Sequence, residues 1–175
     1  LFPHNMSFWM VAVDGSADGD LAFRTAMRMM DKKNDRLFIV NVVEELESKY
    51  SLSYGLFTEV QERLKDESSR LLHAYGHRAK EAGVTASLVR GLSTHSAEFL
   101  CNLAEKKNID VVVTGRRGMG SITRFFVGST TTYVLEHSKC NVLVVKQDLP
   151  PEEVHSDSKD AARTEETERL RRIEE

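Results

Sequence analysis

The chain has 175 residues, a formal net charge of −3, 41% hydrophobic residues and two cysteines. A chain of this length folds around one core without staples. The slightly acidic balance offers no general attraction to nucleic acid or anionic lipid, and two cysteines make no secreted disulfide framework. No stretch approaches the roughly 20 apolar residues that span a bilayer, and no basic, apolar, small-residue series marks a signal peptide. The expected setting is therefore cytoplasmic, with Cys101 and Cys140 as buried thiols.

The chain opens Leu-Phe-Pro-His-Asn before Met6, so residues 1–6 read as an extraneous or disordered start and residues 7–147 as the folded domain. Phe8 to Asp14 is the first strand. A helix from about Asp18 to Lys32 is expected to bury Ala22, Ala26, Met29 and Met30, and Leu37 to Val43 is the second strand. After a polar connection, Phe57, Val60, Leu64, Leu71, Tyr75 and Ala79 recur at helical spacing until Gly83 stops the run. Thr85 to Arg90 is strand three. Ala97, Leu100, Cys101 and Ala104 stripe a third helix, with Thr94 or Ser96 as its cap. Asp110 to Thr114 is strand four and Cys140 to Lys146 strand five. Strands alternating with helices of this size build βαβ units and a parallel sheet.

The valine run Val111-Val112-Val113 has no polar alternation, which marks a strand covered on both faces. Directly after it come Gly115-x2-Gly118 and, nine residues later, Gly128-Ser129. Glycines at the carboxyl end of a parallel strand let the backbone approach an anion and donate N–H groups to it, and Ser129 is placed to cap a following helix. No lysine stands between Gly115 and Ser129, which excludes a Walker loop. Asp14-Gly15-Ser16-Ala17-Asp18-Gly19 after strand one is not a dinucleotide fingerprint.

The pattern Gly-x2-Gly-x9-Gly-Ser after strand four resembles the nucleotide-binding signature of the universal stress protein family. Val11-Ala12-Val13-Asp14-Gly15-Ser16 is similar to the family's first strand and Asn141 to Val145 to its last, so the likeness covers about residues 7–147. It implies an α/β fold, a Rossmann-like open sandwich on a five-stranded parallel sheet in the order 3-2-1-4-5. A helix from Ser129 to His137 follows from the same likeness and from the need for a crossover, although Ser-Thr-Thr-Thr-Tyr-Val alone favours a strand. The implied ligand is ATP, or AMP or ADP, with magnesium as a possible companion. Ala12 and Val42 correspond to positions lining the adenine, Val42 through its backbone. Asp14 corresponds to a ribose contact, where the residues alone leave helix capping equally open. Gly115, Gly118, Gly128 and Ser129 form the implied phosphate loop, with Val13, Arg117 and Thr130 beside them. A homodimer through the last strand is also implied. Gly91-Leu92-Ser93 and Asn141 depart from the family's usual Gly-Asp/Asn-Pro and proline.

Arg116, Arg117 and Arg124 invite a phosphate clamp, yet each taken singly reads as a solvated loop-tip arginine. His73 and His77 are four apart on a helix, but no metalloprotease glutamate follows His73, and no metal is assigned. No nucleophile elbow or cysteine–histidine pairing appears, so no catalytic residue is named, and at most slow ATP hydrolysis is expected. The rival readings are an ATP pyrophosphatase or adenylating enzyme, which Asp14-Gly-Ser-Ala-Asp18 echoes only loosely, and a dimeric scaffold without nucleotide. Residues 148–175 form a charged tail, solvated or partly helical through Glu165–Arg169 and Glu168–Arg172 pairs, and a site for a protein partner if it docks.

Overall fold

In a computed structural model of the chain, which describes residues 6–46, 54–118 and 127–146, the apolar runs form one sheet with a core on each face. The elements run β1 (Phe8–Ala12), α1 (Ala17–Met29), β2 (Arg36–Glu44), α2 (Tyr54–Glu81), β3 (Ala86–Ser93), α3 (Ser96–Lys106), β4 (Val111–Gly115), α4 (Ser129–His137) and β5 (Asn141–Val145). All neighbours pair in parallel, in the order β3-β2-β1-β4-β5. Successive strand residues point to opposite faces. Val11, Ile39 and Val113 accordingly pack with Ala22 and Ala26 of α1 and Leu72 and Ala79 of α2. Met10, Val40 and Val112 pack with Leu100 and Ala104 of α3 and Val134 of α4. Because both faces of the central stretches of these strands meet a core, the sequence shows apolar runs without alternation there.

Helix faces differ in detail from the simple apolar count. On α1 the buried set is Ala22, Phe23, Ala26 and Met27, with Met30 just beyond, whereas Met29 is 56% exposed. Phe23 decides the rotation: its ring meets Tyr75 edge-on at 4.8 Å, and the Arg78 guanidinium lies 4.7 Å over it. On α2, Leu72 is buried where Leu71 is only partly so, and Val60 is exposed; the Phe57 side chain lies outside the described residues. Neither Thr94 nor Ser96 caps α3. His95 holds the cap position with no side-chain bond, while Ser93 Oγ accepts its N–H at 3.0 Å. Cys101 and Cys140 are half-buried and not enclosed; desolvation pushes the Cys101 thiol up, with Cys140 adding to the effect.

α4 forms against its local propensity because tertiary contacts outweigh it. Val134 is fully buried, and the Thr131 hydroxyl donates to the Gly115 carbonyl at 2.9 Å, tying the helix to the end of β4. At the other end of the sheet, the buried Asp35 carboxylate accepts from the Ser7 N–H (2.9 Å), Trp9 Nε1 (3.0 Å) and the Asp31 N–H (2.8 Å), joining β1 to the turn before β2. Asp35→Ala strands three donors in a partly buried setting, so a loss of about 2–4 kcal/mol is expected. Urea unfolding followed by Trp9 emission measures it, and a loss under about 0.5 kcal/mol would show that water replaces the carboxylate.

Candidate functional site

The carboxyl ends of β1, β2 and β4 and the first turns of α1, α3 and α4 enclose a cleft of about 690 Å³. Ala12, Val13 and Asp14 line it from the end of β1 and Val42 from β2. Gly115, Arg117 and Gly118 line it from the chain after β4, and Gly128, Ser129 and Thr130 from the start of α4. The fold thus brings together all of the residues that the sequence singled out as a site. Met119 to Phe126, including Arg124, lie outside the described residues.

The three glycines have different reasons to be glycine. A Cβ at Gly115 would lie 2.6 Å from the Asp18 carbonyl carbon and 2.7 Å from its oxygen, so this position is set by the close approach of α1 to β4. At Gly118 a Cβ would meet Asp14 Oδ2 at 2.5 Å, the end of a side chain that can turn. Around Gly128 the nearest atom to a Cβ would be the Arg116 carbonyl oxygen at 3.5 Å, an ordinary contact, and φ is −62°. Nothing inside the described chain requires glycine at 128. Gly115 thus has a packing reason to be glycine beside its expected place in the phosphate loop.

Backbone donors can be counted in the same way. Arg116 N–H donates to the Val145 carbonyl at 2.7 Å and Gly128 N–H to the Arg116 carbonyl at 2.8 Å. Arg117 N–H donates to Asp18 Oδ2 at 3.2 Å. These amides are taken. Gly128, not Ser129, is the N-cap of α4, and it supplies no side-chain bond, so the first-turn N–H groups of this nine-residue helix face the cleft uncapped beside the exposed hydroxyls of Ser129 and Thr130. The two arginines are not loop-tip groups in open solvent. The Arg117 side chain is only 19% exposed, its Nε 4.0 Å from Asp18 Oδ2, and Arg116 is half-buried.

Asp14 settles the capping question in an unforeseen way. Ser16 is the N-cap of α1, its Oγ accepting the Gly19 N–H at 3.0 Å. Asp14 Oδ1 in turn accepts the Ser16 hydroxyl at 2.6 Å and the Ser16 N–H at 3.0 Å. The carboxylate therefore supports the cap while its Oδ2 faces Gly118 across the cleft. Sequence reasoning missed Val40, Asn41 and Leu100, which extend the apolar end of the cleft, and Thr114 and Thr131 on its floor. Val40 and Leu100 had no signal apart from their place in a periodic apolar segment; Asn41 stood out as the one amide inside an apolar strand. His73 and His77 are exposed on α2, and among the described residues no group of three histidine, cysteine or acidic side chains is placed to hold a metal.

This arrangement can be set beside known proteins. The sequence profile of the universal stress protein family matches residues 9–146. The chain belongs to the universal stress protein family. A relative from Staphylococcus haemolyticus that carries the family name is 32% identical over 146 residues, 82% of this chain and 87% of its own. Among solved structures, UspA of Lactobacillus plantarum superposes with a TM-score of 0.72 at 22% identity, over 81% of this chain and 98% of that one. An Arabidopsis thaliana family member with AMP bound gives 0.62 at 18% identity, over 86% and 97%. A universal stress protein in complex with cAMP gives 0.59 at 24% identity, over 79% and 96%. In this family member no described helix is long and apolar enough to cross a membrane.

The contrast among glycines gives a stability test. Gly115→Ala forces α1 away from β4 and is expected to cost about 1–3 kcal/mol by overpacking, whereas Gly128→Ala changes stability by less than about 0.5 kcal/mol. Parallel denaturation curves decide, and equal losses at the two positions would refute the distinction.

Proposed function

We propose that the chain binds an adenine nucleotide, ATP or its AMP and ADP forms, in this cleft. The observation that carries the reading is the cleft's two-ended chemistry. Ala12, Val40, Val42 and Leu100 make one end apolar, suited to a flat base. At the other end stand Gly118, Gly128, the two hydroxyls and the positive end of α4, suited to phosphate. Asp14 lies between them, where its oxygens can accept from ribose hydroxyls. The family members holding AMP and cAMP support the adenosine part of this assignment. Where ATP is the ligand, the Ser129 hydroxyl would be available to hold magnesium, which would offset phosphate charge.

Turnover in this reading is slow, well below the ~1–100 s⁻¹ of dedicated phosphoryl-transfer enzymes, because the loop carries no lysine to offset charge developing in the transition state. The protein acts as a nucleotide-dependent module in stress response or signalling, in the cytoplasm, with the domain at residues 7–147 and the tail available to a protein partner. It pairs through β5, whose outer edge has no neighbour among the described strands.

Calorimetry with AMP and with magnesium–ATP tests the central point. One nucleotide should bind per chain, and Gly128→Val should remove binding while leaving the circular dichroism spectrum and melting curve unchanged. Absence of heat at millimolar nucleotide would replace the reading with that of a scaffold. For assembly, sedimentation at tens of micromolar should give a dimer, and Val144→Lys on β5 a monomer; a wild-type monomer at that concentration would exclude the strand-edge pairing.

A further inference from the structure

The ladder between β1 and β2 stops one rung early, and a side chain sits where the next bond would form. Arg36 N–H donates to the Ser7 carbonyl on the β1 side, while Leu37 and Glu45 donate to Thr85 and Ser93 on the β3 side. Even-numbered residues of β2 therefore turn their backbone groups toward β1, as Val40 does in accepting the Val13 N–H at 2.9 Å. The next rung of a parallel ladder would run from the Val42 N–H to the Val13 carbonyl. That bond does not form. The Val13 carbonyl instead accepts Asn41 Nδ2 at 2.7 Å. Only the amide nitrogen can face it, since the amide oxygen there would place two acceptors together. Beyond this point β1 leaves the sheet, and Ala12, Val13, Asn41 and Val42 all border the cleft.

We propose that Asn41 is a positioning residue: by occupying the Val13 carbonyl it keeps the β1–β2 ladder open and leaves the Val42 N–H as a donor at the base-binding end of the cleft. The inference rests on the nucleotide reading for its ligand, a base with an unprotonated ring nitrogen, but not for its geometry. A half-buried N–H without a partner costs free energy that a ligand acceptor can recover. Adenine offers such an acceptor at N1, next to an amino group that suits the Val42 carbonyl on the same edge. A 6-oxo purine carries a proton at N1 and would set donor against donor. Valine at 41 would keep the strand but surrender the carbonyl, allowing the ladder to close over the site.

Amide hydrogen exchange of ¹⁵N-labelled, ligand-free protein tests the geometry directly. In the wild type the Val42 N–H should exchange far faster than its β2 neighbours and slow when AMP is added. In Asn41→Val it should be protected without ligand, with unchanged or raised thermal stability and an AMP affinity lower by about tenfold or more. Val42 already protected in the ligand-free wild type would overturn the proposal, with no variant needed. So would an Asn41→Val protein that binds AMP with wild-type affinity. A wild type with an open Val42 that closes in Asn41→Val, yet binds no AMP, would uphold the ladder geometry and overturn the nucleotide reading.

Discussion

The divergence of the chain after β1 and β4 is the constraint on which the site depends. These two strands lie side by side at the centre of the sheet, yet one leads into α1 on one face and the other toward α4 on the opposite face. A crevice must open where adjacent strands send their connections opposite ways. Both polar clusters of the sequence, Asp14-Gly15-Ser16 and the glycine loop, stand at its two lips. Right-handed crossovers and a core on each face determine the crevice before any ligand contact is considered.

Within the crevice the two lips are tied together by carboxylates of the α1 N-terminus. Asp14 fixes Ser16 and abuts Gly118, and Asp18 takes the Arg117 N–H while its backbone fills the space that a side chain at 115 would need. A helix cap is worth about 1 kcal/mol, whereas forcing a methyl group into a packed contact costs about 1–3 kcal/mol. Steric closure at Gly115 thus decides how near α1 and β4 approach, and the hydrogen bonds of Asp14 and Asp18 set the loop's orientation once that distance is fixed. Groups held this way have little freedom left to lose, which lowers the cost of taking up any ligand in the crevice.

Much of this was legible in the residues. The apolar runs of β2 and β4 announced a two-faced parallel sheet, and α4 was placed at Ser129–His137 against its own propensity. Helix rotation was less legible: the spacing of apolar residues on α1 suited Met29 as well as Met27, and only the Phe23–Tyr75 contact between two helices selects one. Strand order came from resemblance, since pairing partners leave no mark in a single strand. The site was read as a set of residues without their division of labour. Glycine looks alike in a sequence whether it admits α1, as Gly115 does, or leaves open space, as at Gly128. The role of Asn41 is not legible along the chain, because its partner is a backbone carbonyl of another strand.

Fixed donors favour retention of a ligand over its conversion. In the proposed reading, the N–H groups at the start of α4 and the hydroxyls of Ser129 and Thr130 would meet a phosphate in its ground state as readily as in its transition state. Interactions equal in ground and transition state strengthen binding without raising the chemical rate. Such a site also stabilises the fold by mass action, by about 2.7 kcal/mol when ligand stands at 100 times its dissociation constant. That free energy is felt wherever the ligand's contacts lead. From the lips of the cleft, bonds run through Asp14 to the cap of α1 and through the Gly115 carbonyl and Thr131 to α4, which packs on β5. Packed, hydrogen-bonded elements thus join the cleft to the outer strand, and a nucleotide held as proposed would act at the protein's edge only by favouring one arrangement of those elements over another.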